Sequence, residues 1–187
     1  MKLVLASKSP RRREILSMVT SNFEVRISGA EEIIPSGTDV FDVPTCLAKI
    51  KAETTEASDD EIVIGCDTVV IHNGKILGKP HSEGEATEML RFLSGRSHYV
   101  FTGVTVICDG RIETAICRTE VFFKNLSDGL IRAYVHTGEP YDKAGGYGIQ
   151  SKGAVLVDHI DGDYSNVVGL PIGLLYEMLT EFGIDVL

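Results

Sequence analysis

Arg11, Arg12 and Arg13 follow directly on Ser9-Pro10 in the stretch LASKSPRRREIL, residues 5 to 16. Lys2 to Ala6 reads as a short apolar strand, Ser9 as a helix N-cap and Pro10 as the first helical residue. The arginines therefore crowd a helix start that already carries partial positive charge, where each misplaced cation costs roughly 0.3–1 kcal/mol. A bound phosphate reverses that sign, because backbone N–H groups and guanidinium groups then converge on one anion. The competing reading is a solvated helix start whose arginines reach outer carboxylates.

Asp67 breaks an apolar run, with Ile62 to Cys66 before it and Val69 to Ile71 after it. An acid in that setting is costly unless it is paired or bound to a cation. Asp67 is thus either a turn-capping residue at a strand end or a metal ligand or general base at the mouth of a sheet. Glu31 and Glu32 supply a second carboxylate or are solvated loop charges. Lys79, held extended by Pro80, and Lys51, beside Leu47 on a predicted helix, complete an anion site or lie on the surface. Carboxylates for a hard, oxygen-ligated cation, with Lys and Arg for phosphate, are the equipment of phosphoryl chemistry. The glycines of 145–148 either let backbone approach a ligand or form a plain tight loop.

Composition narrows the classes. The chain has 187 residues and a formal charge of −9, which argues against broad binding to a nucleic-acid backbone. No apolar run reaches the ~18 residues of a membrane span, and the N-terminus is too short in apolar residues for a signal peptide. The expected location is the cytoplasm. Cys46, Cys66, Cys108 and Cys117 form no CxxC pair, so a zinc site is not expected and the thiols read as reduced, small apolar residues. Cys108 and Cys117 flank a predicted hairpin and could face each other. The histidines lack metal-ligand helical spacing and read as surface residues. GxxxxGK[ST], GxGxxG, HExxH and GxSxG are all absent.

The elements that must position these residues follow from periodicity and turn chemistry. Ser28 to Pro44 reads as a loop and 45 to 57 as a helix. Ile62 to Ile64 and Val69 to Ile71 read as strand on either side of Asp67-Thr68, and Asn73-Gly74 as a hairpin turn. Ser82 with Glu85 forms a capping box that opens a helix through Leu93, ended by Gly95. Two long strands surround Asp109-Gly110 between 98 and 123. Ser127 caps a further helix that Gly138 stops. Residues 142 to 150 form a glycine-rich loop, Gly153 to Ile160 a strand, Asp161-Gly162 a turn and Pro171 to Phe182 a last helix. The rhythm is not βαβ, so the expected class is a mixed α/β fold with long antiparallel hairpins, not a doubly wound parallel sheet. No clean linker divides the chain, which is expected to be one domain over 1–187.

The stretches LASKSPRRREIL, EE at 31 and 32, LAKIKA, GCDTVV, GKP, LSGRSH, TGVTV, EPYDKAGGYGIQ, GAVLVDHIDGDY and VVGLPI, in this order, resemble the Maf family of nucleotide pyrophosphatases associated with septum formation. The resemblance implies an elongated central sheet flanked by helices, in two lobes around a cleft, related to the inosine triphosphate pyrophosphatases. It implies hydrolysis of a nucleoside triphosphate to monophosphate and pyrophosphate with a divalent metal, Mg²⁺ or Mn²⁺, in a homodimer. Carried over, Asp67 is the catalytic acid residue, acting as general base toward water, and Glu32 helps it hold the metal. Arg12, Lys51 and Lys79 bind the phosphates. Arg11, Thr68 and Gln150 occupy the positions that tune base choice, and this combination resembles the subgroup acting on dTTP and UTP. The 7-methyl-GTP subgroup has an aromatic residue, Gln and Glu there. Cys66 stands where Ala or Ser is commoner. The implied partners are a nucleotide substrate, with no nucleic-acid polymer and no membrane. A nucleotide-binding regulator of cell division is the alternative, and a nucleotidyltransferase is disfavoured because no acceptor motif is present.

Overall fold

A computed structural model describes every residue except Met1, Ser28, Ala30, Asp59 and Leu187. Its strands are β1 (Lys2–Ala6), β2 (Phe23–Arg26), β3 (Glu61–His72), β4 (Lys75–Leu77), β5 (Ser97–Cys108), β6 (Arg111–Phe123) and β7 (Val157–Asp161). Its helices are α1 (Pro10–Ser17), α2 (Val43–Glu53), α3 (Glu83–Leu93), α4 (Asp128–Val135), α5 (Tyr164–Val168) and α6 (Ile172–Glu181). The strands form a seven-stranded sheet of order β2-β1-β3-β5-β6-β7, with β4 paired to β3. β1 is parallel to both neighbours, whereas β3–β4 and β6–β7 are antiparallel. The expected mixed α/β class with long hairpins is what is found. No helix among the described residues is long and apolar enough to cross a membrane.

The chain divides into two compact units, Met1–Thr68 with Thr102–Cys117 and Gly169–Leu187, and Val69–Phe101 with Arg118–Val168. In the first, β1 is buried on both sides, as a central parallel strand must be: Leu3, Val4, Leu5 and Ala6 expose at most 2%. α2 lies directly on β3. A Cβ built on Gly65 would stand 2.2 Å from the Ala48 carbonyl oxygen and 2.9 Å from the Ala52 backbone nitrogen, so the strand is bare there to admit the helix. Thr54 and Thr55 close α2, their hydroxyls donating to the Ile50 and Lys51 carbonyls at 2.6 and 2.7 Å.

In the second unit, α3 and α4 bury Ala86, Leu90, Leu93, Ile131, Tyr134 and Val135 against Val121, Phe123 and Leu156. Ser82 and Ser127 cap these helices through the Glu85 and Leu130 N–H groups, at 3.1 and 3.2 Å. The returning half of the predicted capping box lands one residue early: Glu85 accepts from the His81 N–H at 2.7 Å.

Several expectations are corrected. β3 runs unbroken through Asp67 and Thr68; polarity alone marks them as an interruption, but extended backbone tolerates them where the sheet is locally open. α2 begins at Val43, because Pro44 suits a first helical turn, and ends at Glu53. Ser28 and Ala30 of the predicted loop lie outside the described residues. The predicted strand from Gly153 is a 3-10 turn over Ser151–Leu156 before β7. Ser151 sits at φ 59, a left-handed backbone that ends an extended run. Strand β2 and helix α5 are additions. Cys108 and Cys117 do not face each other: Thr105 pairs with Thr114 across the hairpin at 2.9 Å, a register that sets Cys117 level with Thr102, and neither thiol is in a disulfide.

Two histidines are not surface residues. His72 is 7% and His98 1% exposed. The His72 Nδ1–H donates to the Ser97 carbonyl at 2.9 Å, and His98 Nε2 lies 2.7 Å from the Tyr147 hydroxyl. Aromatic neighbours supply the apolar shell, with the Phe123 and Tyr147 rings edge-on to His98.

This packing can be tested at two residues. Gly65→Ala will push α2 off the sheet and lower stability by about 1–3 kcal/mol in urea unfolding; an unchanged midpoint contradicts the packing. Burial pushes the His98 pKa down from 6.5 to about 3, so the unfolded chain binds this proton first as pH falls. Stability is therefore intact above pH 6.5 and declines toward pH 3 by up to roughly 1.4 kcal/mol per pH unit for this one group. His98→Gln will flatten that limb, and equal slopes in the two proteins would refute the assignment.

Candidate active site

β1 pairs with β3 only as far as Ala6 opposite Gly65. Cys66, Asp67 and Thr68 therefore stand beyond the end of β1, where its chain turns away through Ser7–Ser9 into α1. Side chains alternate along a strand. Asp67 shares the α2 face with Gly65, and Thr68 points to the opposite face. The end of β1 is flanked on both sides by polar groups from one short stretch of β3.

On the Thr68 face lies Arg12. Ser9 caps α1, its Oγ accepting from the Arg12 N–H at 3.5 Å, and the first turn holds no acid. The Arg12 side chain folds back toward the core. Its Nε–H donates to the Gly169 carbonyl at 2.7 Å, Nη1 to Ser7 Oγ at 3.2 Å and Nη2 to Thr68 Oγ1 at 3.0 Å. The Ser7 hydroxyl also accepts from the Ser9 N–H at 3.2 Å, tying the loop to the arginine. Gly169, at φ 122, leaves room for this: a Cβ there would lie 3.4 Å from Thr68 Oγ1 and 3.6 Å from Arg12 Nε. A guanidinium has five N–H groups. With those three bonds made, one N–H on each terminal nitrogen remains to meet an anion. Arg11, like Arg12, is half-buried, and Arg13 is exposed.

On the Asp67 face lies Lys51. Its Nζ is 2.5 Å from Asp67 Oδ1 and 3.3 Å from Glu32 Oε2. The Lys51 and Asp67 side chains are 14% and 13% exposed, the Glu32 side chain 51%. Two carboxylates from separate segments thus share one ammonium. That arrangement fits a hard divalent cation, which takes one or two carboxylates and completes its shell with water and substrate phosphate oxygens. Among the described residues no group of three or more His, Cys, Asp or Glu converges, so an all-protein cage is not what the site offers.

Cys66, on the Thr68 face of β3, is fully buried. Burial pushes its thiol up to about 11; the charges of Arg12, Asp67 and Lys51 all act on it, Arg12 and Lys51 drawing it down and Asp67 raising it. The thiol is therefore protonated at neutral pH and is no nucleophile.

Lys79 and Gln150 belong to the second unit. Lys79 is exposed between β4 and α3. Its neighbour Gly78 accepts from the Gly145 N–H at 3.0 Å, which holds the glycine-rich loop against this segment. Gln150 is half-buried, just before Ser151, whose Oγ donates to Glu139 Oε1 at 3.1 Å. The first unit brings together Arg12, Thr68, Asp67, Lys51 and Glu32. Ser7, Thr102 and Gly169 also build it and are not singled out by the sequence. Thr102 gives no local signal at all, and Gly169 lies inside a family-like stretch, VVGLPI, without an assigned role.

Known proteins resemble the chain along nearly its whole length. Residues 2–182 match the family model described as Maf-like protein. The chain is 48% identical over 186 residues to a dTTP/UTP pyrophosphatase of Bacillus cereus (strain AH187), covering 99% of this chain and 97% of that one. The dTTP/UTP pyrophosphatase of Bacillus anthracis (strain CDC 684 / NRRL 3495) is equally similar, at 48% over the same shares. Among solved structures, the Staphylococcus aureus Ham1 protein superposes with a TM-score of 0.57 at 14% identity, over 97% of this chain and all of that one, a likeness of fold. Matched over nearly its whole length, and carrying a guanidinium socket and a carboxylate-bound lysine on opposite faces of one strand, the chain belongs to the Maf family.

Proposed function

We propose that this chain hydrolyses dTTP and UTP to the monophosphate and pyrophosphate with the help of a divalent cation. One observation supports the reading: the Lys51 ammonium is held between Asp67 and Glu32 on one face of β3 where β1 ends, and on the opposite face Thr68 accepts from the Arg12 guanidinium. The names of the relatives supply the substrate class, and Arg11 and Gln150 agree with the dTTP/UTP subgroup. The resemblance gives the setting, a homodimer in the cytoplasm.

The reaction places water on the α-phosphorus and breaks its bond to the bridging oxygen, so that pyrophosphate leaves. Asp67 takes the proton of the attacking water; a positioned general base contributes typically about 10²–10⁴-fold. Glu32 and Asp67 would hold Mg²⁺ or Mn²⁺, which when bound draws charge from the phosphate oxygens. Lys51 passes from the carboxylates to the phosphate, and Arg12 offers its outward N–H groups to the oxygens on which charge accumulates. Lys79 adds a further phosphate contact on the family pattern. Arg11 and Gln150 read the base edge, and a wrong base is rejected because their donors are left unpaired. Thr68 belongs to the same set on the family pattern, and its hydroxyl also accepts from Arg12 Nη2.

Purified protein with Mn²⁺ or Mg²⁺ and a nucleotide panel tests this. Pyrophosphate and monophosphate will appear from dTTP and UTP ahead of other nucleotides; orthophosphate release, or preference for 7-methyl-GTP, contradicts the reading. Asp67→Asn will keep the fold and lose about 10²–10⁴-fold in kcat, measured as pyrophosphate release, and a near-normal kcat would remove Asp67 from the chemistry.

A further inference from the structure

The Thr68–Thr102 contact lies behind the phosphate-facing side of Arg12. Thr68 Oγ1 accepts from Arg12 Nη2 at 3.0 Å, so its single proton must go elsewhere. Two acceptors are in reach: Thr102 Oγ1 at 2.9 Å and the Gly169 carbonyl at 3.5 Å. If Thr102 is the donor instead, its proton takes the second lone pair of Thr68 and sends the Thr68 proton to Gly169. Either way the Thr68 oxygen is locked with a lone pair aimed at the guanidinium. Thr102 is fully buried, at 0% exposure, and meets no substrate. The Gly169 carbonyl serves both partners, accepting the Arg12 Nε–H at 2.7 Å. Arg12 is thus gripped at three nitrogens by Ser7, Thr68 and Gly169, and Thr102 sets the orientation of the middle grip.

We propose that Thr102 is a positioning residue, which acts through Thr68 to aim the two remaining Arg12 N–H groups at the phosphates. This rests on the reading of Arg12 as a phosphate ligand. Thr68, at a position tied to base choice, then serves differently, orienting a phosphate ligand without touching the base. A guanidinium on a long, flexible stem gains more from such a grip than a shorter group would, because a shift of ~1 Å at a reacting centre can cost on the order of 10²-fold.

The test uses the full-length protein. Thr102→Val removes the hydroxyl and keeps the shape; Thr102→Ser keeps the hydroxyl. Thr102→Val will lower kcat/KM by roughly 10- to 100-fold, equally for dTTP and UTP, and Thr102→Ser will restore most of the loss. In an Arg12→Ala background, Thr102→Val will cost nothing further. Inorganic triphosphate binding, read by calorimetry with Mg²⁺, will weaken in Thr102→Val and not in Thr102→Ser, and this arm needs no turnover. Circular dichroism and the thermal midpoint establish that each variant is folded. Unchanged triphosphate binding in folded Thr102→Val, a shifted dTTP-to-UTP ratio, or a loss that persists without Arg12 would each overturn the proposal. A wild type that binds triphosphate but releases no pyrophosphate would defeat the proposed function and leave the positioning role intact.

Discussion

The site depends on β1 being shorter than β3. β1 leaves the sheet at Ala6, one pairing before Cys66, and β3 continues. Polar residues that would be intolerable between two paired strands become accessible there. Because strand side chains alternate, consecutive residues deliver opposite equipment to opposite faces: Asp67 toward α2 and its lysine, Thr68 toward α1 and its arginine. A carboxylate and a guanidinium socket are thereby held close to one strand end without forming a pair with each other. Had they paired, neither would be available to a metal or a phosphate.

Charge explains the same arrangement. The chain is acidic, with a net charge of −9, and a polyanion would be repelled by most of its surface. The attraction is confined to a few cations whose partners are uncommitted or weakly committed. Lys51 is balanced by two carboxylates, Asp67 and Glu32. Among the described residues Arg12 is held by neutral acceptors, a serine, a threonine and a carbonyl, which fix its position without neutralising it. An acid in place of Thr68 would hold Arg12 more tightly and take its charge away from a phosphate. The first turn of α1 holds no acid of its own, which leaves its positive end open to an anion.

Much of this is legible in the sequence, for identifiable reasons. The helix starts are read correctly where Ser9, Ser82 and Ser127 cap them, because capping chemistry is local. The turns at Asn73-Gly74 and Asp109-Gly110 are read correctly because left-handed backbone demands those residues; Asn73 and Asp109 sit at φ 50 and 48. Asp67 stands out as an acid among apolar residues, but its strand looks broken, since hydrophobicity marks where a strand is covered and not where it ends. His98 cannot be read as buried, since its partner Tyr147 is 49 positions away. Thr102 is invisible for a related reason: a threonine in a β-rich stretch is ordinary, and only the approach of β5 to Thr68 gives it a part to play. The three consecutive arginines look like one cluster, yet Arg13 is exposed while Arg12 is held by Ser7, Thr68 and Gly169.

The most direct measurement is a crystal structure of the wild-type protein with Mn²⁺ and a non-hydrolysable dTTP analogue. The expected result is a triphosphate lying across the end of β1, with Arg12 on its oxygens and an anomalous manganese peak against Asp67 and Glu32, the Lys51 ammonium drawn off them. A triphosphate bound away from the Ser7–Ser9 turn, or manganese held by other carboxylates, would contradict it.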